Sequence, residues 1–434
     1  MSRKSALAAT GFFRLWTAES VSMVGSQITV FALPLVAVLT LRASAWQMGL
    51  LTASASLAVL LLGLSAGVWA DQYDRRAVML GANAVRGVVL LSVPVLYWFD
   101  ELDLTVLLVV SFTVGAMSLL FDSAMSAYLP RLVGDKELTA ANSWIQATES
   151  VGDVGGPGLA GIVVQVLGAP VTILVDSVSY LVSSISLLTL PAAPPETGHD
   201  RPDQSHRQAI AQGLKLLWSN RILRPLAVAA AHFNLFTSMF FALFVLYAVK
   251  VLDFSPFLLG LVTTVGGVAG LLGATAAGKL SRRFGAGRTM MAAYAIPGTA
   301  GLLVPVAASF GTPVAVACLT ASTFFWSFCV VILLITGMSL RQRLVPDEFR
   351  GRVSATFRFI AWGIEPLGGL LGGLLGSSAL GLRGTMTLAA LGIVPSALWV
   401  AFSRVRKLGD VASVPTDLSM SASPSPSTRE EVTQ

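Results

Sequence analysis

Long apolar stretches separated by short polar segments run along almost the whole chain. Each stretch is long enough for one α-helix to cross the hydrocarbon core of a bilayer, which takes about 20 residues. Helices are expected rather than barrel strands, because a barrel strand needs only about 10 residues. The pattern predicts twelve spans, at residues 12–39, 46–70, 77–98, 104–128, 143–168, 170–190, 225–249, 256–280, 289–309, 313–338, 353–380 and 384–403.

One long polar segment divides the twelve predicted spans into two sets of six. After its Pro-rich beginning, Ile210, Leu214, Leu217 and Trp218 share one helical face, which predicts an amphipathic helix on the inner membrane surface. The Ser- and Pro-rich end of the chain is predicted to be disordered. The predicted organisation is a cytoplasmic N-terminus (1–11), a helical bundle (12–190), a linker (191–224), a second bundle (225–403) and a disordered cytoplasmic tail (404–434).

The composition excludes a water-soluble globular enzyme. Charged residues make up 12% of the chain, about half of the ~25% that is usual for soluble domains, and the mean hydropathy is +0.75. The net charge of +6 raises the question of a nucleic-acid partner. None is expected here, because the basic residues lie in short loops between apolar runs and therefore indicate orientation in a membrane.

The distribution of basic residues predicts that both termini are cytoplasmic. In that orientation 24 of the 29 Lys and Arg residues lie on the cytoplasmic side, and three lie in external loops. The opposite orientation would violate the positive-inside bias. The expected location is therefore the cell (inner) membrane, with multiple passes.

An internal repeat relates the two halves of the chain. With an offset of 211 residues, the segment from Ser44 to Leu50 aligns with the segment from Ser255 to Leu261. The second half then has one inserted residue, and with the resulting offset of 212 residues Asp153 aligns with Glu365 and Gly156 with Gly368. Parallel six-span repeats about an axis normal to the membrane are a known transporter arrangement, with the substrate bound between the halves.

Two motifs in the first half resemble signatures of the major facilitator superfamily, and the resemblance covers about residues 10–405. The loop after span 2 is similar to the signature G-x-L-A-D-R-x-[GD]-R-R, although Gln72 replaces its first Arg. Its matching residues include Gly67, Asp71, Arg75 and Arg76. The resemblance implies an all-α fold of twelve transmembrane helices in two six-helix repeats, and a position for Asp71 opposite the N-terminus of span 11.

The second motif indicates export. Span 5 carries a sequence similar to the antiporter signature G-x3-G-P-x2-G-G, which the exporters of the superfamily have. Its residues are Gly152, Gly156, Pro157 and Gly161, with Ala160 in place of one Gly. The segments Phe13–Trp16 and Arg341–Val353 resemble the branch that contains enterobactin exporters and macrolide and multidrug efflux proteins. Small residues also allow close helix packing in lipid, so the pattern is compatible with a plain packing groove as well.

Ionisable residues inside spans are candidates for function, because a charge in the bilayer core costs at least ~2.5–3.5 kcal/mol. The proton-coupling candidates are Asp122, Glu149, Glu19, Asp153 and Glu365. Counting residues along the spans places the first three at one depth, roughly 10 Å from the cytoplasmic face. They would repel one another unless paired or partly protonated. Asp122 is the first choice, because related exporters place a charged relay residue, usually Arg, in span 4. Three other charged residues have different expected roles: Arg86 is the alternative partner in an inert buried ion pair, Arg358 is a second base in a span, and Asp176 is expected to be hydrated near the outer face.

The substrate-cavity candidates are polar and aromatic residues of both halves, namely Gln27, Phe31, His232, Asn234, Phe325 and Trp326. No metal site is expected, because His232 is the only His in a span and metal sites need several ligands. The phosphate-loop-like string from Gly273 to Leu280 lacks the final Ser or Thr and a preceding strand. Nucleotide binding is therefore excluded, no cofactor is expected, and a proton gradient is the expected energy source.

The sequence leads to the hypothesis of a monomeric secondary exporter that exchanges protons for an amphipathic small molecule by alternating access. A drug, a macrolide-like antibiotic or a secondary metabolite fits the apolar, aromatic spans. The alternatives are a siderophore exporter, which would need more bases in the cavity, and an importer of the same superfamily. An enzyme is not expected, because the spans carry no recognisable nucleophile–base pair or metal cluster.

Overall fold

The computed structural model describes residues 11–63, 73–190, 206–346 and 349–409. Within these ranges the chain is helical, without strands, and twelve helices are long and apolar enough to cross a membrane. The predicted fold class is confirmed. In order, spans 1 to 12 are Phe12–Thr40, Ala45–Leu62, Arg75–Trp98, Leu104–Val133, Lys136–Leu167, Ala169–Leu187, Leu223–Lys250, Pro256–Phe284, Ala286–Ala307, Thr312–Leu344, Arg350–Gly376 and Gly381–Ala401.

Three spans of the second half are interrupted. Span 9 consists of Ala286–Gly301 and Leu303–Ala307, span 11 of Arg350–Trp362 and Glu365–Gly376, and span 12 of Gly381–Ile393 and Ser396–Ala401. A proline lies within four residues of each interruption. Proline favours such a break, because it has no backbone N–H and therefore removes one helical hydrogen bond. These prolines are Pro305, Pro366 and Pro395.

The two halves meet through contacts between glycines, at the ends that are predicted to be external. A Cβ atom added to Gly49 of span 2 would lie 2.6 Å from the Cα of Gly373 in span 11. A Cβ atom added to Gly260 of span 8 would lie 2.9 Å from the Cα of Gly161 in span 5. Because neither position has room for a side chain, the backbones touch directly and hold these ends of the two halves together.

These two contacts, which we call the glycine seal, are related by the internal repeat. Gly49 and Gly260 are separated by 260 − 49 = 211 residues, and Gly161 and Gly373 by 373 − 161 = 212 residues. The alignment of the two halves has the same offsets: 211 residues before the inserted residue and 212 after it. One type of contact is therefore used twice, and small residues are the ones that permit it in lipid.

The linker contains the predicted helix, whereas the beginning of the tail differs from its prediction. The linker helix His206–Ser219 packs on span 11, since a Cβ atom at Gly213 would lie 3.0 Å from the carbonyl oxygen of Arg352. Leu217 on its predicted apolar face is fully buried by protein, whereas Trp218 is half exposed. The predicted disorder from residue 404 is wrong at its beginning: residues 404–407 form a 3₁₀ helix, and Val405 is buried. Residues 191–205 and 410–434 lie outside the described ranges.

Candidate functional site

A polar cavity of about 390 Å³ lies inside the N-terminal bundle. Its volume falls in the range of ligand-binding cavities. Spans 1, 3, 4, 5 and 6 contribute to its walls. Its charged residues, among those that the structure describes, are Glu19, Asp122, Glu149, Asp153, Asp176 and Arg86. Five carboxyl groups thus face a single guanidinium, and when ionised they make the cavity strongly negative.

The carboxyl groups differ in their access to the cavity. Asp122 and Asp153 are exposed to it, and Glu149 is half-buried. Gln27 of span 1 donates a hydrogen bond to Asp153, and Gln146 donates one of 2.6 Å to Glu149. Asp122 has no hydrogen-bond or ion-pair partner in the part of the chain that the structure describes. A group that is both accessible and unpartnered can exchange a proton or meet a cation without first breaking a contact.

Arg86 is fixed in the wall by a hydrogen-bond network. Its guanidinium donates to Ser118 and to the hydroxyl of Tyr180, each at 3.2 Å, and to the side-chain oxygen of Asn83. It also stacks on the ring of Tyr180, 4.2 Å from the centroid. These hydrogen-bond partners of Arg86 are all uncharged, and the alternative of an inert ion pair stays a prediction.

Glu19 is connected to the same network. Asn83 donates to Ser183 at 2.9 Å, and Ser183 donates to Glu19 at 3.0 Å. Glu19 is 5% exposed, so it is a wall residue rather than an open one. Spans 1, 3 and 6 are therefore held together by one polar chain that begins at Glu19 and ends at Arg86.

Asp176 does not lie in water near the outer face. Its side chain is 1% exposed and lines the cavity, so the prediction of a hydrated residue is wrong. Ser179 donates to it at 3.1 Å, and a Cβ atom at Gly25 of span 1 would lie 2.5 Å from its carboxylate. A polar stripe with helical spacing, from Asp176 through Tyr180 to Ser183 and Ser184, was the signal in the sequence that this face of span 6 looks inward.

The helix that carries Glu149 begins earlier than predicted. The estimate of its depth took span 5 to begin near residue 142, but the helix begins at Asp135, so Glu149 lies 14 residues along it, about 21 Å. Asp122 lies 11 residues from the inner end of the span 4 helix, about 16 Å. Both helices continue beyond their apolar part, and Glu149 therefore lies near the middle of its helix.

The other predicted cavity residues do not join Gln27 in this cavity. Phe31 lies in the buried core, and Asn234 donates to the carbonyl of Ala361 at 2.7 Å between spans 7 and 11. Phe325 is 44% exposed, and Trp326 packs on Phe241 with a ring-centroid distance of 4.7 Å.

Two further candidates also lie elsewhere. His232 lines a separate groove between spans 7 and 12. Glu365, the repeat mate of Asp153, begins the second helix of span 11, where Ser238 donates to its carbonyl oxygen at 2.8 Å.

The glycines of the span 5 motif face two different neighbours. A Cβ atom at Gly156 would lie 2.5 Å from the Cβ of Gln27, so this side of span 5 packs on span 1 beside the cavity. Gly161 and the carbonyl of Pro157 contact Gly260 in the opposite half. Gly152 lines the cavity itself. The motif thus contributes both to the wall of the cavity and to the glycine contact between the two halves.

The described part of the loop motif begins after residue 72, so Gly67 and Asp71 lie outside it. Asp74 accepts hydrogen bonds from the backbone N–H groups of Arg76 and Ala77 and caps span 3. Arg75 is buried, and Arg76 donates to the carbonyl oxygen of Leu187 at 2.8 Å. Arg76 therefore anchors the inner end of span 6.

Twelve spans in two repeated halves, with a polar cavity in the first half, are typical of a secondary membrane transporter. The model of the Major Facilitator Superfamily matches residues 15–365, and the chain belongs to this family.

The similar proteins include efflux proteins. The chain is 28% identical to the multidrug efflux pump Tap of Mycolicibacterium fortuitum over 90% of this chain and 95% of that protein. It is 25% identical to the enterobactin exporter EntS of Citrobacter koseri over 86% and 85% of the two chains. A bacterial homologue of the iron transporter ferroportin in its inward-facing state has the same fold, with a TM-score of 0.70, 18% identity and coverage of 90% and 97%. The chain is thus a transporter of small molecules in the cell membrane, and not an enzyme.

Proposed function

We propose that this protein exports an amphipathic organic cation from the cytoplasm in exchange for protons. The observation that carries the proposal is the cavity of the N-terminal bundle, where five carboxyl groups and aromatic side chains surround about 390 Å³. A cation with an apolar body matches both features, because the carboxylates attract its charge and Phe121 and Tyr180 contact its rings. The similarity to multidrug efflux pump Tap supports the direction of transport.

The glycine seal supports a cytoplasmic opening of the cavity in this conformation. Gly161 and Gly260 hold the external ends of spans 5 and 8 together, and Lys250 donates to the carbonyl of Ala43 at 3.0 Å across the external surface. A substrate of an exporter must enter from the cytoplasm, so this is the state in which it would load. Transport then requires the seal to open and the cytoplasmic ends to approach each other.

Protons are proposed as the coupling ion because the accessible carboxyl groups are the titratable groups that the substrate would meet. A cation that enters next to Asp122 and Asp153 stabilises their ionised forms and displaces protons. Proton return from outside would then release the cation, so each ligand competes with the other. Nothing else is required as a cofactor, and the proposed unit is a monomer with both termini in the cytoplasm.

An anionic siderophore is the weaker candidate, although the chain is similar to an enterobactin exporter. Arg86 is the sole base among the described residues of the cavity, and its guanidinium is already occupied by Asn83, Ser118 and Tyr180. A multiply charged anion would be repelled by five carboxylates. The same argument favours cations over neutral compounds.

The test is uptake into inverted membrane vesicles of three dyes with one aromatic framework and a charge of +1, 0 or −1. The proposal predicts proton-gradient-dependent uptake of the cation, above vesicles that lack the protein, and little uptake of the anion. Uptake of the anion in preference to the cation would contradict the substrate class. Uptake of the cation that persists after the gradient is collapsed would contradict the coupling.

A further inference from the structure

A second, larger concavity lies outside the N-terminal bundle, on the flank of the C-terminal half. It measures about 1200 Å³ and lies between spans 7 and 12, with the end of the linker helix at its base. We call it the span 7–span 12 groove. Its wall includes Trp218, Arg221, Arg224, Val228, Leu398 and Trp399.

The groove is basic at one end and apolar along its length. Arg221, Arg224 and Arg404 are exposed at the end where spans 7 and 12 meet the linker and the tail. None of the three guanidiniums has an ion-pair or hydrogen-bond partner among the described residues. Beyond them, the exposed fraction of Leu398 is 50% and that of Trp399 is 47%, which leaves a long apolar surface.

The length of the groove matches one leaflet of a bilayer. Leu223, where the helix of span 7 begins, and His232 are 9 residues apart, about 14 Å along that helix. Half of a hydrocarbon core of about 30 Å is about 15 Å. His232 closes the far end, because its ring contacts the carbonyl oxygen of Gly392 at 2.8 Å and accepts a hydrogen bond of 3.3 Å from Trp399.

The backbone at the basic end is already satisfied, so the guanidiniums themselves must hold any ligand there. Asn220 accepts hydrogen bonds from the N–H groups of Ile222 and Leu223, at 2.8 and 3.1 Å, and caps the beginning of span 7. Guanidinium groups bind phosphate through paired hydrogen bonds. Trp218 at the same level is half exposed, as is typical of side chains at the headgroup region.

We propose that the span 7–span 12 groove is a binding site for one anionic phospholipid of the inner leaflet. Its phosphate lies among Arg221, Arg224 and Arg404, and an acyl chain lies along Val228, Leu398 and Trp399. The charge of the three guanidiniums selects an anionic headgroup, and the apolar length selects a lipid over a free phosphate. The site does not depend on which compound the protein transports or in which direction.

Native mass spectrometry of the purified full-length protein tests the proposal, with titrated phosphatidylglycerol and with phosphatidylcholine of the same chains. The wild type is expected to retain one phosphatidylglycerol in preference to phosphatidylcholine. The triple variant R221Q/R224Q/R404Q should bind phosphatidylglycerol about a hundredfold more weakly, since each basic residue near an anionic lipid contributes about one kcal/mol. Equal retention by the wild type and this variant would overturn the proposal.

A matched control removes the same charge from the same membrane side. The variant R14Q/K136Q/K279Q replaces three exposed basic residues away from the groove and should bind within about twofold of the wild type. An equal loss in this control would show general attraction to a basic surface and overturn the site. Leu398→Trp narrows the apolar part without changing charge and should also weaken lipid binding. Displacement of the lipid by an excess of inorganic phosphate would overturn the proposal and assign the groove to free phosphate instead.

Discussion

Glu149 faces the cavity from the middle of span 5, where Gln146 is its hydrogen-bond donor. Glu149→Gln keeps the size of the side chain and removes its charge. Binding of a monovalent cationic dye to the purified protein should weaken about fivefold, the effect of losing ~1 kcal/mol of charge attraction in a hydrated site. The neutral dye of the same framework is the control and should bind unchanged. Equal weakening for both dyes would indicate a disturbed cavity rather than a lost charge.

At the scale of single residues, counting along the helices identified most of the charged residues of the cavity, but it did not predict which way each helix faces. Of the five predicted proton-coupling candidates, the structure brings Glu19, Asp122, Glu149 and Asp153 to one cavity, whereas Glu365 lies elsewhere. Asp176 was expected to be hydrated, but its side chain is buried. The rotation of a helix is difficult to predict here, because in lipid the buried face and the outer face are both apolar.

At the scale of the helices, span 5 contains neighbouring glycines that offer a matched pair of substitutions. A Cβ atom at Gly156 would lie 2.5 Å from the Cβ of Gln27, whereas one at Gly155 would meet nothing within 4 Å. Gly156→Leu should therefore displace span 1 and abolish net export, with the protein still inserted in the membrane. Gly155→Leu should export at nearly the wild-type rate. Export assays in vesicles with equal amounts of each variant decide between these outcomes, and normal export by the Gly156 variant would contradict the packing.

The glycine seal predicts equal consequences in the two repeats. A Cβ atom at Gly161 would lie 2.8 Å from the carbonyl oxygen of Pro256, and one at Gly373 would lie 2.9 Å from the Cα of Gly49. Gly161→Leu and Gly373→Leu should both open the external side. Distances between spin labels on external loops of the two halves should increase in both variants. An increase in only one variant would show that the two contacts are not equivalent.

The element boundaries show where the sequence was informative. Spans were predicted from apolar runs, and the structure extends several of them, as in span 10, which continues to Leu344. Helices end where capping or proline ends them, not where hydropathy falls. The interruption of span 11 near Pro366 was therefore not visible in the apolar pattern, although the proline itself was.

For the whole molecule, the orientation in the membrane is a prediction from the basic residues. A fluorescent protein fused after Gln434 should fluoresce, as it does in the cytoplasm, and alkaline phosphatase inserted between Asp100 and Glu101 should be active, as it is outside. The physical reason is the asymmetry of Lys and Arg between the two sides. Inverse results from both reporters would contradict the predicted orientation. They would also contradict the proposal that the cavity opens to the cytoplasm.

The twelve-span fold and the two-fold repeat were predictable because both depend on length, hydropathy and repeated glycine positions. Which half of the chain carries the polar cavity was not predictable. The aromatic residues Phe325 and Trp326 suggested a cavity wall in the second half, yet the described acidic cavity belongs to the first. Aromatic residues can contact lipid, protein or substrate at similar cost, so composition alone did not distinguish these environments.

Proton-driven transport through the acidic cavity can be tested by one substitution, at Asp122. Asp122 is exposed to the cavity without a partner in the described part of the chain, so Asp122→Asn should leave the fold intact. A carrier must change its protonation during the cycle, and Asn cannot. The control is Asp100→Asn in an external loop, where the backbone φ of 58° suits Asn.

The measurement is transport of a cationic dye by purified protein in liposomes with an imposed pH gradient. The account predicts that Asp122→Asn binds the dye but loses gradient-driven transport, while Asp100→Asn transports it like the wild type. Full gradient-driven transport by Asp122→Asn, and also by Glu149→Gln and Asp153→Asn, would contradict a proton path through this cavity.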